Sequence, residues 1–132
     1  MSTPTNPLAN DHFAAANGIE LLEARTGYAR TRLTATAEHL NSVGTVHGGA
    51  LFTLAATAFF AACNFGRQTT VGIHMDLACT APGRCGILTA EAQEVSRSRR
   101  IATCVVRITD ERDVMIASFQ ASAYIKGSAA VA

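Results

Sequence analysis

The sequence has no tryptophan and only two tyrosines, and charged residues make up 16% of it, against roughly a quarter in an average soluble domain. So little charge implies that part of the outer surface is covered by other subunits, and an oligomer is expected rather than a monomer. No long basic or acidic run is present and the net charge is +1, so the electrostatic footprint of a nucleic-acid binder is missing. The cysteines, Cys63, Cys79, Cys85 and Cys104, form no CxxC pair, and no His-Cys grouping has the spacing of a zinc site. They read as reduced thiols, with no metal implied. Met1 to Asn10 lacks the basic start and apolar core of a signal peptide. The longest mainly apolar run, Ala50 to Cys63, is too short to span a bilayer. These absences together lead to the expectation of a soluble, cytoplasmic protein without a membrane partner.

What is present is enough for one domain. A chain of 132 residues can bury a proper core but not two, and no linker, repeat or low-complexity block divides it. Residues 1–132 therefore read as one domain, with 1–6 and 127–132 as loose tails. Pro7 to Ala16 permits a short helix ended by Asn17-Gly18, with Phe13 packing it onto the body of the domain. Ile19–Arg25 and Tyr28–Thr36 have strand composition and are separated by Thr26-Gly27, a hairpin turn. Val71, Ile73, Met75 and Leu77 alternate with Gly72, His74, Asp76 and Ala78, the period of a half-buried strand that stops near Ala81-Pro82-Gly83. Ile87–Ser96, Arg100–Thr109 and Val114–Ile125 follow as three long strands in a meander. Arg30 and Arg32 fall on the wetter face of their strand.

Between the two groups of strands lies His39 to Asn64, a polar loop, a His-Gly-Gly step and a run that is almost wholly apolar. Apart from Thr53 and Thr57 the interior of this run is Ala, Leu, Phe and Cys, which predicts a helix over about 48–64 that is buried all round. One helix wrapped by long antiparallel strands is an α+β domain. The glycine-rich entry leaves the first N–H groups of the helix unpaired and uncovered, aligned with the positive end of its dipole. Such a tip stabilises an oxyanion, so acyl transfer is the first chemistry to test; close packing at a tight turn explains the glycines equally well.

The run Asn41-x-x-Gly44-x-x-His47-Gly48-Gly49-x-Leu51-x-x-Leu54, with an alanine-rich helix ending Ala61-Ala62-Cys63-Asn64, resembles the hot-dog-fold acyl-CoA thioesterases, most closely the phenylacetate-degradation type. The resemblance implies a long central helix wrapped by a curved antiparallel sheet of about five to six strands. It implies hydrolysis of an acyl-CoA such as phenylacetyl- or hydroxyphenylacetyl-CoA to the free acid and coenzyme A. No cofactor is implied, since coenzyme A is part of the substrate. By position, Gly48 would offer the N–H that polarises the thioester carbonyl, with Gly49 beside it at the substrate. His47 would help to hold the thioester, Asn41 would orient the carbonyl or the attacking water, and Thr57 would lie beside the catalytic acid. The family builds its site between two subunits, and the usual assembly is a dimer of dimers.

One position departs from the pattern. Nine residues after the motif histidine, where the family carries its aspartate, stands Ala56, and no carboxylate occurs between His47 and Asn64. Three accounts compete: an engineered Asp-to-Ala change that disables the enzyme and keeps its binding site, favoured because every other motif residue is in place; a non-catalytic hot-dog protein that binds acyl-CoA; and an acid placed elsewhere, with Asp76 the candidate. A related dehydratase acting on acyl-carrier protein would need a catalytic histidine paired with an acid, and Ala56 gives it no support. Arg84, Arg97, Arg99 and Arg100 are candidates for the phosphates of coenzyme A, because arginine makes bidentate phosphate contacts; a merely solvated hairpin is the alternative. His39 and His74 have no evident partner. Phe52, Phe59 and Phe60 read as core, with one of them available to line an aryl-acyl pocket.

Overall fold

Alternation and one glycine turn build the first hairpin. The computed structural model describes residues 6–126, and in it β1 (Ile19–Arg25) pairs antiparallel with β2 (Tyr28–Ala35). Gly27 makes the turn at φ +76°, a conformation that side chains with a Cβ avoid. Its N–H donates to Ala62 O at 3.1 Å and its carbonyl accepts from Glu94 N–H at 2.9 Å. The hairpin tip is thereby seated on the end of the long helix. The expected loose tails fall outside the described residues, apart from Asn6.

The N-terminal helix is shorter than its composition predicts. α1 covers His12–Ala16 only, because Asp11 caps it: Asp11 Oδ1 accepts the N–H of Ala14 at 2.9 Å. Residues 7–10 are turns, closed by Leu8 N–H to Asn6 Oδ1 at 2.8 Å and Asp11 N–H to Leu8 O at 3.1 Å. The packing residue of α1 is also not the one expected. Ala14 is buried, whereas Phe13 is 67% exposed.

The long helix, α2 (Gly48–Asn64), lies across the sheet. Its buried side chains include Leu51, Leu54, Ala55, Ala58, Phe59, Ala61 and Ala62. Opposite them the sheet presents many small residues, Ala29, Ala90, Ala92, Ala102, Ala121 and Ala123, which let helix and sheet approach closely. Phe119 fills the remaining space, edge-on to Phe52 with ring centroids 5.4 Å apart. The helix is not covered all round as its composition predicts. Gly49 is exposed, and Phe52, Thr53, Ala56 and Phe60 are only half-buried. Spaced three or four apart, these residues form one stripe that the sheet of this chain leaves partly open, although Phe52 still meets Phe119 of the sheet at one side.

After α2 come β3 (Thr70–Cys79), β4 (Gly86–Arg97), β5 (Ile101–Thr109) and β6 (Met115–Ile125), all in one six-stranded antiparallel sheet of order β1-β2-β4-β5-β6-β3. β4, β5 and β6 form the meander. β3, in contrast, pairs with β6 at the far edge, because α2 has carried the chain under the sheet to the side opposite β2. Alternation in β3 predicted a half-buried strand. Its position at the edge leaves Val71, Ile73 and Met75 at 42%, 57% and 38% exposure. All four cysteines are free, and no described helix is long and apolar enough to cross a membrane.

The far end of α2 is locked by charge. Arg67 and Arg97 both donate to Glu94 Oε1 at 2.8 Å, and the same guanidinium groups reach Ala62 O at 3.1 Å and Cys63 O at 3.4 Å. These carbonyls belong to the last turn of α2, where partners within the helix run out. Burial raises the pKa of Glu94, yet the two arginines outweigh it and the carboxyl sits below the usual glutamate range.

Candidate active site

The loop before α2 is held by its own side chains. Asn41 Oδ1 accepts from Val43 N–H and Thr45 N–H, each at 3.0 Å, and Asn41 Nδ2 donates to Thr45 Oγ1 at 2.9 Å. The predicted role of Asn41 was to orient carbonyl or water; in this chain both ends of its amide are engaged in shaping the loop. Val46 N–H donates to Gly83 O at 3.0 Å. A Cβ on Gly83 would lie 3.1 Å from Val46 Cβ, so the Ala81-Pro82-Gly83 turn is pressed against the loop leading to the helix.

His47 is the N-cap of α2. Its N–H donates to His39 O at 2.7 Å and its carbonyl accepts from Ala50 and Leu51 at 2.9 and 3.2 Å. Its ring Nδ1 accepts the N–H of Gly49 at 2.8 Å. An accepting Nδ1 leaves Nε2 as the protonated, donating nitrogen of the neutral ring. Gly48 N–H makes no hydrogen bond among the described residues. It is the free donor at the tip, backed by the dipole of a 17-residue helix.

The two glycines differ in what surrounds them. A Cβ on Gly49 would sit 3.0 Å from His47 Nδ1, so Gly49 is small in order to admit the capping ring. A Cβ on Gly48 would meet nothing within 4 Å, and its φ is not positive. Nothing among the described residues requires glycine at 48. What gains from the missing side chain is whatever approaches that N–H from outside.

Ala56 lies in a groove of about 340 Å³ lined by Asp11, Phe13, Phe52, Thr53, Thr57 and Phe60. Thr57, expected beside the acid, lines the groove but donates its hydroxyl to the helix backbone, at Leu54 O (2.9 Å) and Thr53 O (3.0 Å). The exposed Phe13 belongs to this rim. Phe59, by contrast, is core. The carboxylate in the groove is Asp11, which sequence reasoning passed over by placing it inside a longer helix. Its signal was the cap pattern Asp11-His12-Phe13-Ala14, a helix-starting residue followed by an apolar run.

The other expected residues are scattered. Asp76 is exposed on the edge strand and contacts His74, Nε2 to Oδ2 at 3.3 Å; it does not line the groove. Arg84 lines a separate hollow with Asp110, Glu111 and Arg112. It precedes β4, whereas Arg97 ends it. Twelve strand residues put these two roughly 35 Å apart, so one chain cannot gather Arg84 with Arg97, Arg99 and Arg100. Arg97 is occupied at the helix end by Glu94, while Arg99 and Arg100 are exposed. Among the described residues no group of His, Cys, Asp or Glu is arranged to hold a metal ion.

A family model for the thioesterase superfamily matches residues 43–117, which include the tip, the groove helix and most of the sheet. The chain belongs to the thioesterase superfamily. It is 33% identical over 116 residues to the acyl-coenzyme A thioesterase PaaI of Escherichia coli, covering 87% of this chain and 83% of that one. The structure of that E. coli PaaI protein, from the phenylacetic acid degradation operon, superposes with a TM-score of 0.86 at 32% identity, covering 90% of this chain and 87% of the other. A mutant of the phenylacetic acid degradation protein PaaI from Thermus thermophilus gives 0.82 at 33% identity, covering 86% and 97%. The sheet around one long helix is the hot-dog fold of these thioesterases. Their shared frame puts the His47-Gly48-Gly49 step at the head of the central helix.

Proposed function

We propose that this chain is an acyl-CoA thioesterase of the phenylacetate-degradation type that polarises the thioester carbonyl with the Gly48 N–H. The observation that carries the reading is the free N–H at an open helix tip, next to a neighbour already capped by His47. Preorganised donors of this kind stabilise the charge that develops on the carbonyl oxygen. The Nε2–H of His47 is then available to hold the thioester. Asn41 acts through the loop it shapes, and Thr57 acts from the wall of the groove. The aromatic rim, Phe13, Phe52 and Phe60, suits an aryl-acetyl group. Arg84 of one copy, or Arg99 and Arg100 of another, are the arginines proposed for the phosphates of coenzyme A. In this reading the reaction needs no cofactor and no metal, and a coenzyme A ester as substrate is consistent with a cytoplasmic protein.

Helix geometry argues for two copies per site. Gly48 and Ala56 are eight residues apart on α2, about 12 Å along its axis, too far for one carbonyl to touch both. A second copy laid antiparallel brings its tip to the groove of the first. Pairing through β3 would join the two sheets and cover the apolar edge at Val71, Ile73 and Met75. Two such pairs would make the dimer of dimers.

Position 56 carries no acid. With Ala56 where an acid is expected, and no other group in the groove acting in its stead, turnover should fall by roughly 10²- to 10⁴-fold, the usual loss for a missing base. A non-catalytic acyl-CoA-binding protein is the alternative that Ala56 itself favours. Assay of Ala56→Asp against a panel of coenzyme A thioesters separates the two. Turnover of phenylacetyl-CoA by the parent or by Ala56→Asp supports the enzyme, and no turnover of any ester by either chain supports the binding protein.

A further inference from the structure

The groove that contains Ala56 is not without an acid. Of the side chains that line it, Asp11 alone carries a carboxylate, and Asp11 also lines the adjoining hollow with Pro7, Asn10, His12 and Phe60. It is fixed there by its own helix, since Oδ1 accepts Ala14 N–H at 2.9 Å. Oδ2 has no hydrogen-bond or ionic partner among the described residues. Asp11 is half-buried and shares the lining of the groove with Phe13, Phe52 and Phe60. We propose that Asp11 serves as the base for thioester hydrolysis in this chain, in place of the acid absent at position 56.

The proposal rests on the thioesterase reading of the site. The anchored oxygen holds the carboxylate in place at the groove, and the other has no partner among the described residues, which suits activation of water better than covalent attack. Water oxygen bonds to the thioester carbonyl carbon while one of its protons passes to Asp11 Oδ2. The carbonyl oxygen takes up the negative charge opposite the Gly48 N–H of the second copy. As the intermediate collapses, the C–S bond breaks, and the proton on Asp11 passes to the leaving coenzyme A sulfur. Acid and thiol are released and Asp11 is again a carboxylate. The route differs from the family pattern only in where the acid is attached: the cap of a short N-terminal helix instead of the central helix.

Asp11→Asn is the informative variant, because the amide oxygen can still accept Ala14 N–H and keep the cap. With phenylacetyl-CoA as probe, kcat should fall at least tenfold in Asp11→Asn, with KM and the thermal midpoint unchanged. Adding Ala56→Asp to Asp11→Asn should restore turnover, since position 56 then supplies the acid. Asp11→Asn turning over as fast as the parent would overturn the proposal. So would a parent chain that binds phenylacetyl-CoA by calorimetry but never hydrolyses it, an outcome that leaves the binding site intact as a reading. If the parent does not bind the ester at all, the thioesterase reading fails and the role of Asp11 fails with it.

Discussion

His47 Nδ1 accepts the N–H of Gly49 at 2.8 Å, and this one bond selects Gly48 as the donor that remains free at the head of α2. The adjacent glycines are therefore small for different reasons. Gly49 makes room for a ring of the same chain, whereas a side chain at Gly48 would meet open space.

That difference predicts opposite phenotypes for the two alanine variants. Gly48→Ala should leave the thermal midpoint unchanged or slightly raised, because its Cβ points into open space and alanine is the better helix former. It should nonetheless weaken binding or turnover of an acyl-CoA by obstructing approach to the N–H. Gly49→Ala should displace the His47 ring and lower stability by about 1 kcal/mol, the usual worth of a cap. Thermal melts and steady-state kinetics on the same preparations check both. Equal stability losses in the two variants would contradict the assignment.

His47→Ala should do more than remove a cap. The Gly49 N–H would become a second free donor, but the oriented Nε2–H would be lost. The expected result is about 1 kcal/mol of destabilisation together with a higher KM for acyl-CoA. His47→Asn, which can still cap, should recover the stability and not the KM.

Glu94 sets an acid limit on stability. Its pKa is lowered in the folded protein: burial raises it, and Arg67 and Arg97 together lower it further than burial lifts it. Its contribution is thus complete above the unfolded glutamate pKa of about 4.3 and is lost as pH falls through the lower folded value. Glu94→Gln leaves two arginines packed around a neutral amide. It should cost on the order of 3 kcal/mol at neutral pH and flatten the stability profile below about pH 4. Denaturant melts of both proteins between pH 3 and pH 7, a range chosen on roughly those pKa values, measure the difference.

The β3 edge should decide assembly. Ile73→Lys places a charge on the exposed apolar edge, at the bulge between Gly72 and His74. If two sheets join there, this variant should shift the protein to smaller species in light scattering coupled to size exclusion, with its far-UV spectrum unchanged. An unaltered mass would move the interface elsewhere.

Local pattern was enough for most of the frame. The boundaries of α2 follow from the glycine step at one end and Asn64 at the other, the hairpin turn from Thr26-Gly27, and the meander from short polar connections between alternating runs. These features depend on spacing along the chain, as does the donor tip, because N–H groups at a helix start are free whatever the helix packs against. The shared hot-dog frame with PaaI proteins agrees with that reading.

What distance along the chain could not decide was set by packing. Periodicity gives the faces of a strand but not its neighbours, so the place of β3 beside β6, and the exposure of its apolar residues, came only with the sheet. An apolar helix reads as buried all round, yet the sheet wraps one side of α2 and leaves Phe52, Thr53, Ala56 and Phe60 as a groove wall. Arginines clustered around one turn read as a phosphate site, and the structure ties Arg97 to Glu94 and puts Arg84 at the other end of β4. Asp11 was the least visible, because a carboxylate forty-five residues from Ala56 shares a groove with it only once the N-terminal turns have folded back along α2. The sequence determined that there would be a helix tip with a free N–H at its head. Which residues share the groove beside that helix depended on long-range packing, which brings together side chains that no local pattern links.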